Sequence, residues 1–146
     1  MSLRFTILGC GSSGGVPRVG NDWGKCDPGN PRNRRRRCSA LVERTGPRGR
    51  TAVLIDTGPD LREQLLSVRV SALDGVLYTH DHADHTHGID DLRFVSYAMK
   101  RRVPVWFDAP TEASLVSRFA YCFTSTSGSY PAILQANPIH PGKVVR

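Results

Sequence analysis

The sequence predicts an α/β fold, and three observations carry that prediction. Short apolar runs bounded by glycine, proline or aspartate read as strands; the segments between several of them carry apolar residues at helical spacing; and a histidine-rich turn sits where one apolar run ends. A strand followed by a helix that packs on it is the repeating unit of such folds.

Leu3 to Leu8 is the first strand, with Leu3, Phe5 and Ile7 on one face and Arg4, Thr6 and Leu8 on the other. It opens into Gly9-Cys10-Gly11-Ser12-Ser13-Gly14-Gly15. Glycines there permit positive φ and close backbone approach, which suits a cradled anion or a plain flexible turn, and the Gly-Lys-Ser/Thr of a Walker loop is missing. Residues 16 to 37 form a long loop rich in Gly, Pro, Asn and Arg, with Trp23 as its large aromatic, a length usually functional or disordered. Cys38 to Val42 is the next strand, Gly46-Pro47-Arg48-Gly49 a hairpin turn, and Thr51 to Ile55 the returning strand.

Pro59 to Val68 reads as a helix, with Asp60 and Glu63 near its positive end and Leu61, Leu65, Leu66 and Val68 on its apolar side. Asp74 to Tyr78 is a buried strand. Ile89 to Met99 is helical, with Leu92, Val95 and Met99 facing the core and Lys100-Arg101-Arg102 at the end where cations suit the dipole. Val103 to Phe107 is a strand whose proline marks an edge or a strand start. Pro110 or Thr111 opens a helix through Phe119, with Leu115, Val116 and Phe119 inward. Thr124 to Pro131 has linker composition, Ala132 to Ile139 reads as one more strand, and Asn137 to Gly142 reads as a turn before a strand.

Composition narrows the function classes. The 146 residues include 39% apolar residues, 10 prolines and 14 glycines, so many turns and long connections are expected. No run approaches a membrane span and the start lacks a secretion signal; Cys10, Cys26, Cys38 and Cys122 show no paired spacing and read as reduced thiols, which makes the cytoplasm the expected compartment. The net charge of +7 is unevenly spread. Residues 1 to 50 hold 11 Lys or Arg against 3 acids, whereas residues 56 to 91 hold 8 of the 13 acids against Arg62 and Arg69. A cationic rim beside an acidic centre suits a small phosphorylated substrate, and a merely solvated basic face explains the same numbers. Arg32, Arg34, Arg35, Arg36 and Arg37 precede a strand; Arg37 is the candidate for a substrate phosphate, most of the run is expected to be solvated, and a nucleic-acid stripe is the third reading.

The most informative stretch is His80-Asp81-His82-Ala83-Asp84-His85-Thr86-His87, with four of the five histidines. Imidazole nitrogen and carboxylate oxygen are ligands of borderline divalent cations, and a catalytic site uses about three of them while keeping a position for water. In an extended segment His80 and His82 point the same way, and the next turn carries Asp84 and His85 towards a second ion. Two ions about 3.5 to 4 Å apart turn water into a nucleophile at neutral pH. Asp56, at a strand end in Asp56-Thr57-Gly58, is expected to hold the histidine loop by hydrogen bonds rather than to bind metal. Asp81 is expected to face the loop's surroundings or solvent, and His87 the rim.

His80-x-His82-x-Asp84-His85 after a hydrophobic strand resembles the signature of the metallo-β-lactamase fold hydrolases. Together with Phe5 to Pro17 and Val53 to Gly58, it is similar to the phosphoribosyl 1,2-cyclic phosphate phosphodiesterases and, more distantly, the tRNA 3′ processing endonucleases. The resemblance implies an αββα sandwich of which residues 1–146 are the amino-terminal half, truncated within a single domain of about 200 to 300 residues. It implies two divalent ions, zinc or manganese: the first on His80 and His82, the second on Asp84 and His85, with Asp84 thereby catalytic. A hydroxide activated between them would attack the phosphorus of a cyclic ribose phosphate. Three further ligands are expected beyond Arg146, so the chain alone is expected to be inactive; His140 is not assigned, and an accessory zinc is left out because Cys38 lies twelve residues from Cys26. The rivals are a tRNA 3′ endonuclease, a thioester or lactone hydrolase, and a non-catalytic fragment or module completed by a partner or a second copy of the chain.

Overall fold

The computed structural model describes residues 1–125 and 130–145. Six strands form one sheet in the order of the chain: β1 Ser2–Gly9, β2 Ser39–Gly46, β3 Gly49–Ile55, β4 Gly75–Leu77, β5 Val103–Phe107 and β6 Leu134–Pro138. The first three run antiparallel, because β2 and β3 are joined by a tight hairpin in which Gly46 pairs with Gly49. The last three join in parallel, each by a helical crossover. The helices are α1 Leu61–Val68, α2 Ala83–Thr86, α3 Leu92–Met99, α4 Ala109–Arg118 and α5 Ala120–Phe123.

Alternation divides the sheet into two unlike faces. Leu41, Leu54, Val76, Val105 and Phe107 are fully buried with Leu61, Leu92 and Leu115 of the helices, forming the core of the described residues. The opposite face carries Leu3, Phe5 and Ile7, which are 74%, 64% and 66% exposed, alongside the half-buried Val42, Val53, Ile55, Leu77 and Trp106. Register makes these one apolar surface, since Phe5 pairs with Val42, Val42 with Val53, Ile55 with Leu77 and Leu77 with Trp106.

Several expectations need correction. Val103 to Phe107 is an inner strand, not an edge; Pro104 is its second residue, and the strand tolerates it because only Val105 and Trp106 pair with the short β4, so the missing N–H costs no bond there. Helix α1 starts at Leu61, and buried Gln64 takes the inward place expected of Leu66, which is 58% exposed. Ile89 to Asp91 is a 3-10 turn before α3, and α4 ends at Arg118, with the unforeseen α5 after it. The turn around His140 follows β6. The linker reading of Thr124 to Pro131 falls in part on residues 126–129, outside the described residues.

Helix ends obey their local chemistry. Arg69 and Lys100 close α1 and α3 in left-handed conformation, at φ 55° and 54°, with backbone N–H groups returned to the last turn. Asp108 caps α4 by accepting from the Thr111 N–H at 3.0 Å.

Candidate metal centre

The parallel strands deliver their following residues to one edge of the sheet, the edge at which open α/β sheets bind ligands. Asp56 follows β3, the histidine turn follows β4, and Asp108 follows β5. Asp56 is 2% exposed and holds a left-handed φ of 60° that a non-glycine residue rarely adopts. That conformation turns its carboxylate across to the next strand's loop. Oδ1 accepts from the Thr79 N–H at 2.8 Å, and Oδ2 accepts from Thr79 Oγ1 at 2.7 Å and meets His85 Nδ1 at 2.7 Å.

Thr79 Oγ1 also lies 2.9 Å from His80 Nδ1. The Nδ1 atoms of His80 and His85 therefore both have partners, which leaves Nε2 of each as the free ring donor. Orienting one ring nitrogen so that the other is presented is how metal-ligating histidines are held. The ring of His80 lies 4.6 Å from that of His82 and 4.2 Å from that of His85, centre to centre. His85 Nε2 stands 3.4 Å from Asp84 Oδ2. Two ligands on one tetrahedral ion with bonds of about 2.1 Å lie about 3.4 Å apart, so this pair has the spacing of one edge of a cage.

His80, His82, Asp84 and His85 are thus brought together as a chain of contacts, His82 to His80, His80 to His85 and His85 to Asp84. Among the described residues, no group of three or more His, Cys, Asp or Glu side chains is placed to hold an ion by itself. A catalytic zinc takes three protein ligands. The donor chemistry fits divalent metal, and the four residues fit as part of a site rather than a whole one.

The turn is clamped on its other flanks. Thr57 Oγ1 and the Tyr78 hydroxyl are 2.9 Å apart within the core, where burial pushes the phenol's pKa far up and keeps it neutral. Thr86 Oγ1 donates to the His82 carbonyl at 2.9 Å. Asp81 points to α4: its Oδ2 accepts from Ser114 Oγ at 2.6 Å and Arg118 Nη2 at 3.4 Å, while the same Nη2 reaches the Asp81 carbonyl at 2.6 Å. The Ser114 hydroxyl, with the Arg118 charge beside it, holds the Asp81 carboxyl below the usual range. His87 packs edge-on against Phe119 at 5.6 Å. Thr79, Ser114 and Arg118 were not singled out from the sequence; Ser114 and Arg118 lie 33 and 37 residues from Asp81, and no local pattern links them.

Arg37 is held at Asp60, its backbone N–H and Nη2 both given to that carboxylate at 2.8 Å. Gly9, Gly11 and Gly14 share the spacing of a dinucleotide-binding loop, but the chain after them is a long loop and not a helix. His140 lies beyond β6, outside this cluster of contacts. No helix among the described residues is long and apolar enough to cross a membrane, and the four cysteines are free.

Comparison with known proteins agrees with this architecture. The family model described as "Beta-lactamase superfamily domain" matches residues 51–146. A crystal structure of a new diphosphatase from the PhnP family is 37% identical, with a TM-score of 0.79 over 95% of this chain and 51% of that one. Zinc-bound PqqB from Methylobacterium extorquens, at 20% identity and a TM-score of 0.64, shares the fold over 94% of this chain and 46% of its own. An octanoyltransferase of Porphyromonas gingivalis is 37% identical over 83% of this chain but only 24% of its own length. The chain therefore spans about half of the diphosphatase and about a quarter of the octanoyltransferase. The sheet, the histidine turn at its edge and the family match together show that this chain belongs to the beta-lactamase superfamily and has the metallo-β-lactamase fold.

Proposed function

We propose that the chain carries the metal-binding edge of a metal-dependent phosphodiesterase whose substrate is a small cyclic ribose phosphate. The observation that supports this most is the carboxylate of Asp56, which holds Thr79 and His85 so that the Nδ1 atoms of His80 and His85 are both engaged and His85 Nε2 is presented to Asp84. His80 and His82 would hold one divalent ion, and Asp84 and His85 the second; zinc and manganese both accept this donor set. Such ions, when bound, supply an activated water and stabilise charge on phosphoryl oxygens. The chain's own contribution is orientation. Asp56 fixes the ring of His85, Thr79 that of His80, and α4 fixes the backbone between His80 and His82 through Asp81.

The resemblance to a PhnP-family diphosphatase supports a phosphorus-centred reaction for the protein to which this chain belongs. A tRNA 3′ endonuclease is the second reading, favoured by the arginine run before β2; human tRNase Z, at 15% identity and a TM-score of 0.57, shares the fold. The test is turnover of a ribose cyclic phosphate, a tRNA precursor and a thioester by the complete gene product loaded with zinc or manganese, with His82→Ala as control. Hydrolysis of the first substrate, lowered by about 100-fold or more in the variant, is the expected result. Turnover of the tRNA precursor alone transfers the case to the second reading, and turnover of the thioester alone ends both.

A further inference from the structure

The pairing of β1 with β2 slips by one residue where β1 ends. Up to Ile7, which pairs with Ala40, the register would set Gly9 against Cys38; a bulge between Ile7 and Gly9 pairs Gly9 with Ser39 instead. Cys10 is thereby set against Cys38. The next contact keeps that alignment, since Gly11 bridges to Arg37 and its N–H reaches the Arg36 carbonyl at 2.8 Å. A slip of one residue also decides the face on which a side chain falls. Ser39 is buried, so alternation sends Cys38 to the other side of the sheet, and Cys10, one residue past Gly9, goes with it. Both thiols are exposed, unlike Cys122 in the core.

The spacing suits a bond. Residues directly opposite in an antiparallel pair have Cα atoms about 4.5–5.5 Å apart, and a disulfide spans about 4.4–6.8 Å. The two chains run close here, leaving no room for a Cβ on Gly9 beside the Arg37 carbonyl. Gly9 with Ser39 on one side, and Gly11 with Arg37 and Val16 with Arg35 on the other, hold the backbone around the pair. Free cysteines are among the most buried residues, so packing does not account for two exposed ones set against each other.

Their place is the ligand edge of the sheet. β1 and β3 run the same way, because each is antiparallel to β2, so Cys10 leaves the sheet at the edge where Asp56 follows β3. Ser39, next to Cys38, donates its hydroxyl to the Ile55 carbonyl at 2.9 Å, one residue before Asp56.

We propose that Cys10 and Cys38 form a reversible cross-strand disulfide, made by peroxide and undone by dithiols. The thiolate of one attacks a peroxide oxygen, the O–O bond breaks, and a sulfenic acid and a hydroxide result. The thiolate of the other attacks that sulfur, the S–O bond breaks, and a second hydroxide leaves. The two thiol protons turn both hydroxides into water, and peroxide takes the two electrons. The bond closes residues 11–37 into a loop. This chemistry does not depend on the reaction proposed for the histidine turn.

The complete gene product, stripped of metal with EDTA, is treated with hydrogen peroxide and digested without reduction for peptide mass spectrometry. A cross-link between the Cys10 and Cys38 peptides, removed by dithiothreitol, is the expected result. In Cys38→Ser the sulfenic acid on Cys10 has no partner, and dimedone, which traps that acid, should label Cys10 about tenfold or more above the native chain. If that variant does not fold, Cys10→Ser with trapping at Cys38 carries the comparison. The absence of a cross-link, a link from either cysteine to Cys26 or to any other thiol, or dimedone labelling equal in native and variant chains overturns the proposal.

Discussion

At the scale of single residues, one buried carboxylate organises the histidine turn. Asp56→Asn keeps a residue that tolerates left-handed backbone but halves the acceptor oxygens available to Thr79 and His85. It should cost about 1–3 kcal/mol in urea denaturation, the usual range for leaving a buried donor unpaired. No measurable change would show that the three contacts are not held in solution. A second residue-scale expectation concerns the thiols. Burial pushes the Cys122 pKa up to about 11, so the group stays protonated and unreactive until pH approaches that value, whereas Cys10 and Cys38 are exposed. A disulfide reagent at pH 8 should label Cys10 and Cys38 in the folded chain and Cys122 only in denaturant; early labelling of Cys122 would contradict the packing of α5 on the core.

At the scale of elements, the histidine turn is pressed against the turn after β3 so closely that neither side has room for a methyl group. A Cβ at Gly88 would lie 2.2 Å from the Gly58 carbonyl, and one at Gly58 2.3 Å from that of Asp84. Both obstacles are backbone, so Gly58→Ala should cost about 1–3 kcal/mol and displace the turn. A crystal structure of that variant with the two turns unmoved would refute the contact. The clamp from α4 makes a separate prediction: Ser114→Ala with Arg118→Ala should lower zinc affinity by about 10-fold or more with little change in melting temperature, because both residues act on the metal turn from outside. A fall in stability with unchanged affinity would reduce them to surface supports.

These elements also show what was legible in the sequence. The strands and the histidine turn could be read because apolar runs and ligand spacing are local patterns. The orienting role expected of Asp56 came from its place at a strand end, whereas its partners Thr79 and the α4 clamp depend on contacts 23 to 37 residues apart. Leu66 was misplaced because periodicity counts only apolar residues; Gln64 is buried instead, its amide donating to the Arg37 carbonyl at 2.8 Å. Pro104 was misplaced because its cost depends on where the neighbouring strand stops.

At the scale of the molecule, the described fold covers one face of its sheet and leaves the other bare. The accessible surface is 9117 Å², against about 7,400 Å² for a compact monomer of this mass. The difference, about 1,700 Å², is about twice what one partner contributes to a standard protein–protein contact. The 146-residue chain should therefore bind a hydrophobic dye such as ANS strongly at neutral pH, and Phe5→Ser with Ile7→Ser should abolish most of the signal. Dye binding indifferent to those substitutions would place the exposed apolar surface elsewhere, for which the groove between α1 and α3, flanked by Leu66 and Phe94, is the other large candidate.

Strand order that follows chain order has a temporal consequence as well. Each strand finds its neighbour in the segment made just before it, so the sheet can grow from one edge while the ribosome is still adding residues at roughly 5–20 per second. By the time β5 emerges, the hairpin, α1 and Asp56 are already made, but the histidine turn still lacks the clamp that α4 gives it through Asp81. The ledge of ring nitrogens would then be completed only when α4 arrives to hold Asp81.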